Sequence, residues 1–523
     1  MLIPGGIKNI IKELNENGFE AYIVGGCVRD FLIGKRPNDW DITTSAKPEE
    51  IQKVFSDSFY DNEFGTVGVK TDIGIVEATT YRTESKYTDK RHPDEVKFAE
   101  TLEEDLKRRD FTINAMALKL ETRNLKRETY ADTKNGFKLH DSSFTIIDLF
   151  GGQEDLKNKI IRAVGDPEKR FNEDALRMLR AVRFATELSS ADSQAKIGAQ
   201  LDFTIEPKTF LAIRKNAGWL EMIAKERIRD EFIKIMMSKE PERGVELLRE
   251  TGLLKYVIPE LEKGVGVSQN RHHIYTVYEH CLLSLKFAAR PPKFSESKLG
   301  GVQRKNYNLT VRLSALLHDI AKPQVKQGEG SDATFYNHDY VGAKWAVRIL
   351  DRLRFSKEIV EQVANLIRNH MFVYDVGAVT EAGVRRLLKR VGPENMKDLI
   401  ALRVADRLGS GVPKAQPYRL RHFQYMVEKV QHDPISVKML KINGNDIMGL
   451  LSIEPGPIIG AVLDVLLAEV IEDPKKNSKK YLEKRANELA RMELVQLREL
   501  AKEKIEEKKE EDDTIIKNKY WVK

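Results

Sequence analysis

The sequence changes its hydrophobic period near residue 151, and this change constrains the fold more than any other feature. Before it, short apolar runs such as AYIVGG (21–26) and DWDITT (39–44) predict strands bounded by turns. After it, apolar residues recur at helical spacing, most clearly in NEDALRMLRAVRFATEL (172–188). We therefore expect an α+β protein, with a small mixed sheet and its flanking helices followed by an all-α part.

Length and charge bound the organisation of the chain. At 523 residues it exceeds what one core normally accommodates, so several domains are expected. The expected segments are 1–150, 151–265, 266–410 and 411–523. A formal net charge of +7 permits an acidic polymer as partner without demanding one.

Two further features concern the compartment. No run of about eighteen apolar residues occurs, so no membrane partner is expected. The chain has 2 cysteines, Cys27 and Cys281, which are too few for a disulfide framework. Their scarcity is typical of proteins of the reducing cytoplasm.

Glycines, an arginine and two aspartates follow one another within residues 21–44. Gly25 and Gly26 end a predicted strand and precede a predicted helix, where backbone N–H groups can receive a phosphate. Arg29 lies on the first turn of that helix and can pair with a phosphate. Asp39 and Asp41 supply two carboxylates, which a period of two places on one face of a strand.

Such a carboxylate pair favours a metal site. Mg²⁺ prefers oxygen ligands and takes the remaining ones from water and substrate phosphates. Metal held in this way can activate an attacking hydroxyl and stabilise a leaving pyrophosphate. Glu77, in a neighbouring predicted strand, is a candidate third carboxylate. A solvated strand edge is the alternative for the two aspartates alone, and the upstream glycines and arginine favour the metal site.

Four motifs occur in a fixed order: GGCVRDFLIG…DWD, EEDLKRRDFTINAMAL (103–118), DLFGGQEDL (148–156) and RFNEDALRMLRAVRFATEL (170–188). Together they resemble the bacterial class II tRNA nucleotidyltransferases (CCA-adding enzymes) and the related bacterial poly(A) polymerases. The resemblance covers nearly the whole chain. It implies a nucleotidyltransferase head, a helical neck and body, and CTP, ATP and the tRNA 3′ end as partners.

Polar residues spaced by three predict one stripe along a helix over 173–184, on the face away from its leucines. These residues are Asp174, Arg177, Arg180 and Arg183. The resemblance implies that Asp174 and Arg177 hydrogen-bond the base of the incoming CTP or ATP, and that Arg180 and Arg183 lie near the nucleotide. It also implies that Arg109 binds the nucleotide and that Asp110 helps to recognise its ribose.

Three functions stay open at this point. The segment over 81–96 looks complete, which favours addition of CCA or of the final A alone. A poly(A) polymerase shares the head motifs, but its basic extension is not evident. A catalytically silent RNA-binding protein is the third alternative, and the intact aspartates count against it.

Histidines and aspartates recur in the helical part in a pattern suited to transition metals. They are His280, His318, Asp319, His338, His370 and Asp406. The set resembles the HD phosphohydrolase family over residues 266–410. The resemblance implies that His280, His318, Asp319 and Asp406 hold one metal, with His338 and His370 at positions where a second binds. It implies a metal-dependent phosphodiesterase or phosphatase that uses nickel, manganese or cobalt, and trims or repairs RNA 3′ ends. A degenerate domain that only binds tRNA is the alternative.

The C-terminal segment, 411–523, resembles the tRNA-binding tail of CCA-adding enzymes that carry an HD domain. Four lysines lie where a helix can follow the acceptor and TΨC arms, or where a solvated helix begins: Lys475, Lys476, Lys479 and Lys480. The final stretch, 497–523, predicts a charge-rich helix or a frayed tail.

Overall fold

The computed structural model describes residues 3–37, 39–60, 65–85, 95–121, 144–189, 202–270, 274–291, 308–411, 417–432 and 440–522. Part of the segment 81–96 therefore lies outside the described residues. Within the described residues, no helix combines the length and the apolar character needed to cross a bilayer.

A seven-stranded mixed sheet forms the N-terminal part, in the order β3-β4-β5-β2-β1-β8-β9. Its strands are β1 (Ala21–Val24), β2 (Asp41–Thr44), β3 (Ser58–Tyr60), β4 (Thr66–Thr71), β5 (Gly74–Thr80), β8 (Met116–Leu120) and β9 (Phe144–Asp148). Strands β2 and β5 pair in parallel, and the other neighbours are antiparallel. Two small pairs lie outside this sheet: β6 (Arg82–Ser85) with β7 (Glu95–Phe98), and β10 (Ile160–Ile161) with β11 (Thr204–Ile205).

Helices flank or follow this sheet in the described part of the first 160 residues. They are α1 (Gly5–Glu16), α2 (Gly26–Leu32), α3 (Pro48–Val54), α4 (Leu102–Lys107) and α5 (Gly152–Lys157). Helix α4 begins with a capping box, in which the Thr101 hydroxyl accepts from the Glu104 N–H and the Glu104 carboxylate accepts from the Thr101 N–H. The predicted α+β class, with a small mixed sheet ahead of helices, is confirmed.

The rest of the described chain is mainly helical. The next helices are α6 (Pro167–Glu173), α7 (Leu176–Glu187), α8 (Pro207–Asn216), α9 (Lys225–Met237), α10 (Pro241–Glu250), α11 (Leu254–Val257) and α12 (Pro259–Glu262). They are followed by α13 (Val277–Ala289), α14 (Leu309–Leu317), α15 (Lys322–Val325), α16 (His338–Arg352), α17 (Lys357–Asn369), α18 (Glu381–Val391) and α19 (Met396–Gly409). The last are α20 (Tyr418–His432), α21 (Gly444–Leu451), α22 (Pro457–Glu472), α23 (Lys479–Leu489) and α24 (Leu494–Tyr520). Short 3₁₀ turns occupy Thr112–Asn114, Ala217–Met222, Gly330–Asp332, Pro393–Asn395 and Pro474–Lys476.

Two predicted elements differ from the structure. The first is the strand over 39–44: β2 begins only at Asp41, and Asp39 lies in a bend before it, so the two carboxylates do not share a strand face. The second is the helix over 173–184. Asp174 has extended backbone angles that end α6, and α7 begins at Leu176. The Asp174 carboxylate accepts from the Leu176 N–H at 3.0 Å, which makes Asp174 a break between two helices.

Buried apolar side chains connect the sheet to the helices. One continuous cluster runs from Ile3 on the N-terminal side to Ile367 on α17. A second joins α14, α18, α19 and α20, and a third holds α21 to α24 together. The first cluster contains residues on both sides of the expected boundaries near residues 150 and 265. It therefore does not mark a separation at either position, and the boundaries stay predictions.

Candidate active sites

A cavity of about 990 Å³ opens between the carboxyl end of β1, helix α2 and the arginine-bearing face of α7. We call it the first pocket. Eleven candidate residues of the first predicted site line it: Gly25, Gly26, Arg29, Asp39, Asp41, Arg109, Asp110, Asp174, Arg177, Arg180 and Arg183. The structure thus brings together residues separated by more than one hundred positions.

The acidic side of the first pocket is formed by Asp39 and Asp41, both exposed to it. Asp41 lies directly across the parallel strand pair from Glu77. The pKa of the Asp41 carboxyl is raised, first by reduced hydration and further by the negative charges of Glu77 and Asp39, while Arg109 opposes the shift. Oxygen donors that repel one another in this way fit a hard divalent cation. Glu77 itself does not line the pocket.

Gly25 brings the backbone close to this acidic side. Its φ of +83° lies in the left-handed region. A Cβ at this position would meet Arg109 Nη1 at 2.9 Å and Asp41 Oδ2 at 3.6 Å. The absence of a side chain at Gly25 therefore leaves the Arg109 guanidinium its place beside Asp41.

The Arg109 side chain is held in place by the carboxylate of Asp105, a residue that the sequence analysis did not identify. Asp105 is fully buried on α4, and its Oδ2 accepts from Arg109 Nη2 at 3.2 Å while Oδ1 accepts from Arg108 Nη2 at 2.7 Å. Burial raises the pKa of Asp105, but the charges of Arg109 and Arg108 lower it more. The signal in the sequence was the i, i+3, i+4 spacing of Asp105 to the two arginines.

Arg29 does not stand free for a phosphate. Its Nε and Nη2 donate to Asp30 Oδ1 at 2.9 and 2.8 Å, and its Nη1 donates to Asn114 Oδ1 at 2.7 Å. A bidentate bond from Arg29 to a phosphate would require an exchange of these partners.

Asp110 forms the most strongly bound carboxylate of the first pocket. Arg180 donates to its Oδ2 from Nε and Nη2 at 2.7 and 2.6 Å, and Asn114 Nδ2 donates to Oδ1 at 3.1 Å. Burial raises the pKa of Asp110, but the Arg180 charge and the Asn114 hydrogen bond outweigh burial and lower it to about 2. Asp110 is therefore ionised throughout the neutral range.

The break between α6 and α7 aims Asp174 into the pocket, where Arg227 of α9 holds it. Arg227 Nη2 donates to Asp174 Oδ2 at 2.7 Å and Nη1 donates to Oδ1 at 3.3 Å. Arg177 is buried and donates to the Arg108 carbonyl at 3.0 Å and to Glu173 Oε2 at 2.6 Å. No sequence pattern pointed to Arg227, because it lies 53 residues beyond its partner.

The ring of Phe184 lies against three arginines of the first pocket. The guanidinium carbons of Arg183, Arg29 and Arg180 lie 4.2, 5.1 and 5.3 Å from its ring centre. Arg183 also pairs with buried Glu231 at 2.9 Å. The sequence pattern placed Phe184 only in an apolar stripe. Its neighbours make it a flat support for three cations.

A second centre collects every candidate residue of the second predicted site, and all six are buried. We call it the histidine–aspartate cluster: His280 on α13, His318 and Asp319 after α14, His338 and His370 at the start of α16 and the end of α17, and Asp406 on α19. Two sets of ligand atoms each lie within 4.8 Å of one another: His280, His318 and Asp319; and Asp319, His338 and His370. Among the described residues such compact sets of three or more occur only here, so Asp39, Asp41 and Glu77 do not form one.

Asp319 joins the two sets. Its Oδ2 lies 3.2 Å from His280 Nε2, and its Oδ1 lies 3.5 Å from His338 Nε2. Asp406 Oδ1 lies 3.3 Å from His280 Nε2. Lys322 approaches Asp319 Oδ2 at 2.7 Å, so one cation already faces the cluster.

Backbone carbonyls orient three of the imidazoles. The Nδ1 atoms of His318, His338 and His370 lie 3.0, 2.7 and 2.6 Å from the carbonyl oxygens of the residues three positions earlier. An Nδ1–H that donates there leaves the Nε2 lone pair facing the cluster, as in metal-ligating histidines. The Nε2 atoms of His338 and His370 face each other at 3.3 Å, an arrangement that a cation between them would stabilise.

The electrostatics of the cluster favour positive charge within it, so that a proton and a metal compete for Nε2 of His318. Burial opposes protonation of His318, but Asp319 outweighs it and raises the pKa of His318 to about 10. Burial and the charge of His318 lower the pKa of His370 to about 3. The pKa of Asp406 lies well below its usual range, because Arg403 and two histidines outweigh its burial. Both carboxylates are thus ionised and attract positive charge, and the donor set of imidazole and carboxylate fits a divalent metal.

A cavity of about 720 Å³ opens onto this cluster. Asp319, His338, His370 and Asp406 line it, whereas His280 and His318 lie behind them. Arg403 and Arg407, on the same helix as Asp406, add two cations that sequence reasoning missed. We call it the second pocket.

Comparisons with known proteins identify families that match three segments of this chain. Residues 21–162 match the family "Poly A polymerase head domain", residues 202–264 match "Probable RNA and SrmB- binding site of polymerase A", and residues 277–410 match "HD domain". The HD and polymerase head families imply use of divalent metal.

Curated relatives include the CCA-adding enzyme of Ligilactobacillus salivarius, 48% identical over 49% of this chain and 55% of the relative. That alignment thus spans about half of each protein. The CCA-adding enzyme of Lactococcus lactis subsp. lactis is 33% identical over 90% of this chain and 94% of the relative. That of Lactiplantibacillus plantarum is 34% identical over 89% and 91%.

Among solved structures, the CCA-adding enzyme of Bacillus stearothermophilus in complex with CTP superposes with a TM-score of 0.55 at 28% identity. The superposition covers 93% of this chain and 98% of that one. The resemblance inferred from the sequence motifs is confirmed.

Proposed function

The chain belongs to the CCA-adding enzyme family, and we propose that it adds cytidine, cytidine and adenosine to the 3′ end of tRNA, using CTP and ATP. The observation that carries this proposal is the first pocket, where two carboxylates, a tight glycine turn and an arginine-rich wall converge. A polyphosphate needs the cationic wall, and a metal-assisted displacement needs the carboxylates.

In the proposed reaction the terminal 3′ hydroxyl of the RNA attacks the α-phosphorus of the nucleotide. The new P–O bond forms as the bond to the β-phosphate breaks, and pyrophosphate leaves. Asp39 and Asp41 would hold Mg²⁺, which when bound lowers the pKa of the attacking hydroxyl and neutralises charge on the leaving group. Arg109, fixed by Asp105, is placed to bind the phosphates.

Base selection is assigned to the break between α6 and α7. Asp174 can accept from an exocyclic amino group and Arg177 can donate to ring nitrogens or carbonyl oxygens. Since both cytosine and adenine carry an amino group next to an accepting ring nitrogen, one acceptor and one donor suit both. Arg180 is occupied by Asp110, so its proposed part is to keep Asp110 and Phe184 in place beside the nucleotide.

Three substrates test this proposal: tRNA lacking CCA, tRNA ending in CC, and an unstructured RNA, each with labelled CTP or ATP and magnesium. We expect two cytidines and one adenosine on the first and one adenosine on the second. Adenosine on tRNA ending in CC, with no cytidine on tRNA lacking CCA, would identify an A-adding enzyme. Long adenosine tails on the unstructured RNA would identify a poly(A) polymerase, and no incorporation would leave a silent RNA-binding protein.

For the histidine–aspartate cluster we propose a metal-dependent phosphohydrolase that acts on RNA 3′ ends, with nickel, manganese or cobalt as the metal. His280, His318, Asp319 and Asp406 would hold a divalent metal, and His338 and His370 a second. The metal would supply a hydroxide near neutral pH. Arg403 and Arg407 are placed to bind the phosphate of the ester.

Hydrolysis of bis(p-nitrophenyl) phosphate in the presence of Ni²⁺, Mn²⁺ or Co²⁺ tests the second proposal, with an RNA that ends in a 2′,3′-cyclic or 2′-phosphate as the specific substrate. Release of nitrophenol that EDTA abolishes is the expected result. Lack of hydrolysis with all three metals would mean that the cluster only stabilises the helices around it.

For tRNA we propose contacts from the C-terminal segment. Lys475 and Lys476 lie in a 3₁₀ turn, and Lys479 and Lys480 begin α23. The four cations therefore follow one another along a turn and a helix start, where they can meet phosphates of the acceptor arm. Replacement of all four by alanine should weaken tRNA binding and leave the binding of CTP unchanged.

A further inference from the structure

A shallow groove of about 400 Å³ lies between α16 and α17, next to the second pocket. We call it the α16–α17 groove and define it by Tyr340, Lys344, Asn365, Arg368, Asn369 and Arg390. Its lining holds three cationic side chains, two amides, an aromatic ring and the apolar side chains of Ala343, Val347 and Ala364, and no carboxylate among the described residues. None of these residues belongs to the histidine–aspartate cluster.

The groove and the second pocket meet at one ion pair. Asp339 lines the second pocket, and its carboxylate accepts from Arg368, which lines the groove. The two helices supply both sites: His338 is followed by Tyr340 on α16, and His370 is preceded by Arg368 on α17. An RNA strand that ended at the cluster would reach the groove by passing the Asp339–Arg368 ion pair.

Two of the three cations lack an anionic partner. No carboxylate of the described residues lies within ion-pair distance of Lys344 or Arg390, whereas Arg368 is neutralised by Asp339. Lys344 Nζ lies 4.3 Å from the Tyr340 ring centre. Arg390 donates from Nε to Asn369 Oδ1 at 2.6 Å, which fixes its direction without neutralising its charge. Cations held in place and left unneutralised suit phosphates.

Tyr340 adds a surface for a base. It is 45% exposed, and Lys344 and Arg368 both lie against its ring. Single-stranded nucleic acid is bound by this combination of a cationic track and an exposed aromatic ring. The amides of Asn365 and Asn369 are hydrogen-bonded within the protein, to the Val391 carbonyl, to each other and to Arg390, so they hold the lining in place.

We propose that the α16–α17 groove binds the single-stranded RNA that precedes the terminal nucleotide when that nucleotide occupies the second pocket. This inference rests on the proposed phosphohydrolase function, and it specifies that the substrate is an RNA end rather than a free nucleotide. The phosphates lie along Lys344 and Arg390, and one base stacks on Tyr340.

The test compares a long and a short substrate. A heptaribonucleotide that ends in a 2′,3′-cyclic phosphate reaches the groove, whereas bis(p-nitrophenyl) phosphate and a nucleoside 2′,3′-cyclic monophosphate do not. In the full chain with Mn²⁺, Lys344→Ala combined with Arg390→Ala should raise the KM for the heptanucleotide about tenfold and reduce its salt dependence, because two phosphate contacts are lost. Hydrolysis of the two small substrates should stay unchanged.

A matched control removes the same charge from two residues that do not line the groove. Arg348→Ala on α16 combined with Lys389→Ala on α18 should leave all three substrates unaffected. An equal rise of KM in both double variants would overturn the proposal, since general electrostatic attraction would then explain the binding. A heptanucleotide that is hydrolysed no better than the mononucleotide by the unchanged protein would overturn it as well.

A second measurement separates this inference from the hydrolase proposal. A heptanucleotide that carries 4-thiouridine at its third position from the 3′ end should crosslink to peptides within residues 338–391. If no substrate is hydrolysed but this crosslink forms and is lost in the groove variant, the hydrolase function fails and the groove stands. Crosslinks confined to other peptides would contradict the groove.

Discussion

At the scale of single residues, the first pocket pairs each of three arginines with an acceptor of its own. Arg180 binds Asp110, Arg183 binds Glu231 and Arg227 binds Asp174. Such pairing costs desolvation, but it fixes the planar guanidinium and carboxylate groups before a ligand arrives. Asp174, one of the two side chains proposed to read a base, is therefore held in place by Arg227.

Arg227 gives the clearest residue-scale prediction. Arg227→Gln should free the Asp174 carboxylate to rotate, so that the preference for CTP and ATP over UTP and GTP falls about tenfold. The preference is measured as the ratio of kcat/KM values on tRNA lacking CCA. Lys225→Gln, on the same helix and outside the pocket, is the matched control. An unchanged preference with lower overall activity would mean that Arg227 only supports the fold.

The lowered pKa of Asp110 predicts that the free energy of unfolding depends on pH. Its pKa of about 2 lies below the ordinary value of about 3.8, so the ionised form is stabilised in the folded protein. The stabilisation, about 2 kcal/mol, is present above pH 4 and is lost as the pH falls from about 4 to about 2. Asp110→Asn should therefore lower the melting temperature at pH 7, and the difference from the unchanged protein should shrink toward pH 3. Differential scanning fluorimetry checks both; a difference that does not depend on pH would show that the ion pair with Arg180 contributes nothing.

At the scale of elements, the sequence predicted a small mixed sheet ahead of an all-α part because the apolar periods of the two parts are regular. It failed at Asp39 and Asp174, where polar residues leave the regular element. The spacing of three between polar residues includes Asp174, although Asp174 precedes α7. Its side chain accepts a hydrogen bond from the first N–H of that helix. Pairs such as Arg227 with Asp174 join distant helices, and no local pattern records them.

The turn from β1 to α2 carries the element-scale prediction. Gly25→Ala forces a side chain into a left-handed backbone position and against Arg109, 2.9 Å away. Gly34, with φ +74° and nothing within 4 Å of the place a Cβ would take, provides the control. Both substitutions should cost about 1 kcal/mol of stability, because both strain the backbone. Only Gly25→Ala should abolish nucleotide addition, measured with labelled CTP. Equal activity of the two variants would contradict the assigned role of the turn.

At the scale of the whole molecule, one apolar cluster continues from the sheet to α17, yet the two pockets share no lining residue among those described. This apolar cluster supports both pockets, so substitutions that disrupt it should weaken both activities together. The sites themselves are built from separate side chains. Among substitutions of pocket residues, each activity should therefore respond only to those in its own pocket.

That separation leads to the last prediction. His318→Ala with Asp319→Ala should abolish metal-dependent hydrolysis of bis(p-nitrophenyl) phosphate and leave CTP and ATP addition within about twofold. Asp39→Ala with Asp41→Ala should do the reverse, with at least about a thousandfold loss of nucleotide addition. Because His318 and Asp319 are buried among helices, circular dichroism and a melting curve must accompany the first variant. Loss of both activities in a folded His318→Ala, Asp319→Ala protein would mean that the cluster supports the transferase site structurally, since two independent chemistries cannot fail together from one set of ligands.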